Sequence, residues 1–113
     1  MDIKQYIEEV TLKEIQTVVF NSYAEFSNGM VRNVDRTPVI SVTFGKKFAK
    51  LISNSHGSSS AFAFICLEDN GKFKKGDVLK AASWNAPAKN FARASIYDQE
   101  SLKKNICWTG VVY

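Results

Sequence analysis

Histidine and cysteine, on which most metal centres and nucleophilic triads draw, are scarce in this chain. It holds one histidine, His56, and two cysteines, Cys66 and Cys107. The cysteines have no motif spacing, so buried free thiols in a reducing compartment are expected rather than a bridge. That points to the cytoplasm. No Cys/His/Asp cluster has ligand spacing, so neither a metal nor a cofactor is expected. G-x-S-x-G, H-E-x-x-H and P-loop patterns are absent. Glu8–Glu9 and Glu68–Asp69 are neighbouring carboxylates, but one pair falls on a helix surface and the other leads into a turn. No apolar run approaches the roughly 20 residues of a membrane helix. The opening stretch MDIKQYIEEV carries acid early and lacks the apolar centre of a secretory signal. There is no repeat, low-complexity tract or long linker, so residues 1–113 are expected to form one domain.

What is present is a mild positive bias. Net charge is +4, with a pI near 9.1. Residues 57–113 hold eight Lys/Arg against five Asp/Glu, whereas residues 1–56 hold seven against six. Such a balance permits an anionic partner without demanding one.

Apolar spacing predicts an α+β fold: one N-terminal helix packed on a mostly antiparallel sheet. Ile3, Tyr6, Ile7 and Val10 share a helical face that Asp2 can cap. The phase slips at Thr11, where Leu12, Ile15, Val18 and Val19 take over. Thr11-x-x-Glu14 has the form of a capping box. One bent helix to about Thr17 is expected, with two short helices as the alternative. From Val18 to Phe26 the residue types favour strand. Ser27-Asn28-Gly29 reads as a turn, with Met30 to Val34 as a returning strand. Val39–Phe44, Phe48–Ser53, a central Ala61–Leu67 and Val78–Ala82 are the further strands. Asp69-Asn70-Gly71-Lys72 forms a hairpin turn between the last two. Residues 54–60, NSHGSSS, read as a flexible loop whose Ser58 and Ser59 can offer backbone N–H groups to phosphate. A short helix is expected near 87–93, with Pro87 at its start. Ile106–Trp108 and Val111–Tyr113 form a terminal strand interrupted by Gly110.

The densest chemistry lies in KAASWNAPAKNFARASIYD, residues 80–98. Trp84 and Phe91 offer ring faces for a base, and such stacking is worth about 1–3 kcal/mol per base. Lys89 and Arg93 offer cations for phosphate, and a helix would set them on one face. Asn85, Asn90 and Ser95 offer paired donors and acceptors for a base edge or ribose hydroxyl. Read bluntly, the same residues also describe a turn with Trp84 and Phe91 plugging a core.

The run Gly76-Asp77-x-x-Lys80-Ala81-Ala82-Ser83-Trp84-x-Ala86-Pro87-Ala88-Lys89, then Ala92-Arg93, Ile96 and Trp108-Thr109-Gly110, resembles a family of small phage-encoded proteins. The Ser-rich entry Ser58 to Phe64 belongs to the same pattern, which covers roughly residues 45–113. Ala94 stands where the family pattern usually has glycine, so a tight backbone approach is not implied there. Among such proteins the pattern is most similar to the Thoeris anti-defence (type one) sponges. That resemblance implies sequestration of a cyclic ADP-ribose-type immune signal without cleavage. It also implies a homo-oligomer in the cytoplasm of an infected bacterial host, with no membrane partner. The expected ligand-binding set is Trp84, Asn85, Lys89, Asn90, Phe91, Arg93, Ser95, Ser58 and Ser59, with no catalytic residue. Two other readings stand beside it: a single-stranded nucleic-acid-binding protein, and a phage structural or host-protein-interaction module.

Overall fold

The N-terminal helix is longer than residue preferences suggest, and it changes its winding on the way. In the computed structural model, which describes residues 2–26, 37–55, 57–69, 71–89, 91–107 and 109–111, α1 (Ile3–Tyr6) runs into a π-helical turn (Ile7–Thr11) and then α2 (Leu12–Phe26). The Asp2 carboxylate caps α1 by accepting from the Gln5 N–H at 2.8 Å. Ile3, Ile7, Thr11, Ile15 and Val19 are all buried. They recur every fourth residue, and in a regular α-helix such a row drifts by about 40° per step. The wider π turn takes up that drift, so it is the structural form of the phase slip at Thr11.

The expected strand from Val18 to Phe26 is therefore corrected to helix. Ile15 and Val19 are fully buried on one helical face, and that burial outweighs the few tenths of a kcal/mol by which β-branched and aromatic residues disfavour helix. The capping box is not formed either. Because the helix continues through Thr11, the Thr11 hydroxyl is fully buried and has no hydrogen-bond partner among the described residues. Thr11→Val keeps the shape and removes that orphan group. It should stabilise the fold by about 1 kcal/mol and raise the thermal midpoint by a few degrees. A lower midpoint in calorimetry would show that the hydroxyl is satisfied.

Helix α2 lies on a five-stranded antiparallel sheet in the order β1-β2-β3-β4-β5. These strands are β1 (Val39–Phe44), β2 (Phe48–Ser55), β3 (Ser58–Cys66), β4 (Asp77–Lys80) and β5 (Ala94–Ser95). The strong apolar run is the central strand, as its composition predicts. Gln16 ties α2 to the entry of β1: its amide donates to the Pro38 carbonyl at 2.9 Å and accepts from the Ile40 N–H at 2.8 Å. Residues 54, 55 and 58–60, expected as loop, are strand instead, with Asn54 opposite Ser59 and Ser55 opposite Ser58. Strand pairing satisfies their backbone groups, which a polar composition alone does not reveal. The register slips between Leu51 and Ile52, so Phe62 is an extra residue on β3 and is buried beside Ala63.

Alternation then divides the sheet. Ile40, Ala49, Leu51, Ala63, Ile65, Val78 and Ala94 belong to the core beneath the helix. Ala94 is thus a core side chain on β5, paired with Val78. Phe64, Cys66, Phe73 and Leu79 form a second, smaller core on the other face. The short helix is α3 (Gln99–Asn105), capped by Asp98, and not the expected segment near 87–93. There the backbone runs along β4 instead: Ala88 N–H donates to the Lys80 carbonyl at 2.7 Å and Arg93 N–H to the Val78 carbonyl at 2.8 Å. A helix of about seven residues is marginal by itself, whereas the edge of β4 offers unpaired backbone groups. The chain ends in a small antiparallel sheet of β6 (Ile106–Cys107) and β7 (Gly110–Val111). The expected turn at 27–29 and strand at 30–34, and residues His56, Asn70, Asn90, Trp108, Val112 and Tyr113, lie outside the described residues.

Candidate ligand-binding face

The sheet face away from α2 gathers the cations and exposed rings. On β2, Phe48 and Lys50 point to this face, opposite Cys66 and Phe64 of β3. The loop between β4 and β5 crosses their edge. Ala86 closes its tip by accepting from the N–H groups of Ala82 at 3.0 Å and Ser83 at 3.1 Å. An isolated bridge between Ala81 and Pro87 holds its neck. The tip presents Trp84 and Asn85 to solvent, so Trp84, at 46% exposure, is no core plug.

Cations lie over rings in three pairs, two of them on this face. The Lys50 ammonium lies 3.6 Å from the centroid of the Trp84 ring. The Lys89 ammonium lies 5.9 Å from that of Phe48, which meets Phe64 edge-on at 6.2 Å. The Arg93 guanidinium lies 4.1 Å from the ring of Phe91. Lys89 and Arg93 therefore do not share a helical face; each covers a different ring.

Two shallow depressions flank the Lys50–Trp84 pair. The first, of about 290 Å³, is lined by Thr43, Lys46, Lys47, Lys50 and Asn85 over a floor that includes Phe48 and Phe64. The second, of about 310 Å³, is lined by Ser59, Ser60, Ala61, Ala81, Ala82, Ser83 and Trp84. No described carboxylate lines either one. The first therefore concentrates positive charge, and the second offers hydroxyls and small side chains beside an indole. Together they suit a ligand with a phosphate at one end and a ring or sugar at the other.

The predicted residues divide accordingly. Trp84, Asn85, Lys89 and Ser59 come together with this face, Ser59 donating its hydroxyl to the Asn54 amide oxygen at 2.7 Å. Phe91 and Arg93 form a separate pair. Ser58 sits at the hairpin end opposite Ser55. Ser95 lies on β5, where its N–H donates to the Ser101 hydroxyl at 3.0 Å and its own hydroxyl accepts from the Tyr97 N–H at 3.2 Å. Asn90 lies outside the described residues. Sequence reasoning missed Lys46, Lys47 and Lys50. Their signal was the cationic turn Gly45-Lys46-Lys47 before a strand that alternates Phe48 and Lys50 on one face.

Cys66 lies beneath this face and is fully buried. Burial, with the nearby Asp77 carboxylate adding to it, pushes its thiol up from 9.0 to about 11. The unfolded thiol ionises first, so this contribution to stability is full below about pH 9 and is lost as pH rises toward 11. At pH 8 a thiol reagent should label Cys107 in the native protein and Cys66 only after unfolding. Labelling of both at equal rates would contradict the burial. Among the described residues no group of His, Cys, Asp and Glu is placed to hold a metal ion. No helix among them is long and apolar enough to cross a membrane.

Fold and face together define an α+β protein with a helix behind its sheet and a face of cations and exposed rings in front. The chain belongs to a family of unknown function (DUF7717), which it matches over residues 1–113. No curated protein and no solved structure matches it.

Proposed function

We propose that this protein is a non-catalytic binder that captures a small nucleotide anion on the open sheet face. One observation carries the reading: Lys50 lies over the exposed Trp84 ring, between a lysine-lined depression and a hydroxyl-lined one. Phosphate groups would sit with Lys46, Lys47 and Lys50. A base would stack on Trp84, and ribose hydroxyls would meet Asn85 and the serines. The motif resemblance narrows the ligand class to cyclic ADP-ribose-type signals and the setting to a phage protein that sequesters a host immune signal. Each depression is small and open for a ligand of that size, which normally has most of its surface buried. A second copy of the chain closing over the face would supply the missing walls, in keeping with a homo-oligomer. Adding cyclic ADP-ribose isomers should raise the thermal midpoint of the protein. No shift at saturating ligand would count against the reading.

A second reading follows from the two cation–ring pairs on this open face, Lys50–Trp84 and Lys89–Phe48, which also suit single-stranded nucleic acid. Affinity for an oligonucleotide would then fall steeply with salt, by a slope of about 0.7 per phosphate contact. A flat salt series, with oligonucleotide failing to displace cyclic ADP-ribose, would leave the small-ligand reading alone.

A further inference from the structure

Strand β1 is the outermost strand of its sheet, so one of its edges has no neighbouring strand. It pairs with β2 in unbroken register from Val39 to Phe44. The Gly45 N–H donates to the Phe48 carbonyl at 2.9 Å, which sets the parity of the ladder. Val39, Ser41 and Thr43 therefore bond inward to β2, and Ile40, Val42 and Phe44 turn their backbone groups outward. The Ile40 N–H, bonded to Gln16 Oε1 at 2.8 Å, follows the same parity.

Open edges are usually blunted by a charge, a proline or a bulge. The stretch VISVTF carries none of these between its ends. Gln16 blunts one end only, where it holds the Pro38 carbonyl and the Ile40 N–H. Further along, the N–H and C=O groups of Val42 and Phe44 have no partner among the described residues. The side chains of Val42 and Phe44 are only partly buried against the core beneath the helix, so the open edge is apolar as well. Thr43 is exposed on the opposite side of the strand.

We infer that this edge is a self-association surface, on which a second copy of the chain pairs antiparallel about a two-fold axis at Thr43. Val42 exchanges both backbone hydrogen bonds with Phe44 of the second copy, and Phe44 does the same with the second copy's Val42. An identical edge offers the same two open residues in reverse order, with no open N–H left over on either side. Pairing cannot run further toward Pro38, because the Gln16 amide stands where such a strand would bond. On the helix side each Val42 meets a Phe44 ring, a favourable cross-strand pair. The two sheets become one. This interface leaves the sheet face open, so it stands whether or not that face binds a nucleotide.

Sedimentation equilibrium should show the native chain as a dimer. Val42→Pro removes an outward N–H without touching the bonds to β2, so it should raise the dimer dissociation constant by about tenfold or more. If Val42→Pro fails to fold, Thr43→Lys takes its place, since Thr43 is exposed and two ammonium groups would oppose each other at the axis. Cross-linking tests the register. In a Cys107→Ser background, with Cys66 fully buried, Thr43→Cys sets two thiols across the axis. Cα atoms of such a non-hydrogen-bonded pair stand about 4.5 Å apart, within disulfide reach. The two copies of Ser41→Cys would stand about 13 Å apart along the strands, out of reach. Mild oxidation should therefore give a reducible dimer with Thr43→Cys and not with Ser41→Cys. A native chain that stays monomeric, a dimer unaffected by the edge variant, or equal cross-linking at both positions overturns the inference.

Discussion

Trp84→Ala should bind a cyclic ADP-ribose-type ligand about tenfold to a hundredfold more weakly than the native protein, with its thermal midpoint nearly unchanged. The ring is 46% exposed at the tip of the loop between β4 and β5, so its removal leaves no cavity in either core. That separates the functional effect from the loss of about 3–5 kcal/mol that follows truncation of a buried ring. Lys50→Ala should weaken binding comparably, because it removes both an anion partner and the cation that lies on the indole. Lys50→Arg should restore part of the affinity, since a guanidinium both stacks and pairs with phosphate. Isothermal titration measures all three. Affinity unaffected by either alanine would move the site off this face. A large fall in the midpoint of Trp84→Ala would show that the Lys50–Trp84 pair serves to pin the loop instead.

Gly76→Ala should be the most destabilising single methyl that this fold can receive outside its cores. Gly76 has φ +93°, a backbone conformation that costs an L-residue about 1–3 kcal/mol. Its added Cβ would also lie 2.5 Å from Cε2 and 2.8 Å from Cδ2 of Tyr97. The backbone cannot yield easily, because Gly76 N–H donates to the Cys66 carbonyl at 2.8 Å and its carbonyl accepts from Ile96 N–H at 2.9 Å. Strain and crowding together predict a loss of about 2–5 kcal/mol in denaturant unfolding. The Tyr97 ring also meets the Tyr6 ring at 5.3 Å, so pushing it aside disturbs the contact to α1. Combining Gly76→Ala with Tyr97→Ala should recover the crowding part and leave the backbone part. A cost below about 1 kcal/mol would mean that the turn relaxes freely.

Most of the sheet was legible in the sequence because alternation and turn residues are local signals. Val39–Phe44, the central apolar strand and the pairing of β3 with β4 follow from them. Val18 to Phe26 misled because strand preference there is a weak local term, and burial of Ile15 and Val19 under the helix is not visible locally. Residues 87–93 misled for a related reason: what decides their conformation is the free edge of β4, which no window around Pro87 contains. The face itself was half legible. Trp84, Asn85 and Lys89 stand together in the chain and stay together in space. Lys46, Lys47 and Lys50 join them only because β2 lies two strands from β4 with Phe48 and Lys50 turned to the same side. Arg93, Phe91 and Ser95 share the segment but not the depression, since Asn105 holds the Arg93 carbonyl at 2.6 Å and Ser101 holds Ser95.

The central claim is capture without chemistry at the Lys50–Trp84 pair. Incubating the protein with cyclic ADP-ribose isomers, removing free ligand, heating and weighing what is released by mass spectrometry tests it most directly. Intact ligand released from the native protein, and little from Lys50→Ala or Trp84→Ala, is the predicted result. Ligand released in cleaved form, or none retained by the native protein, would contradict it.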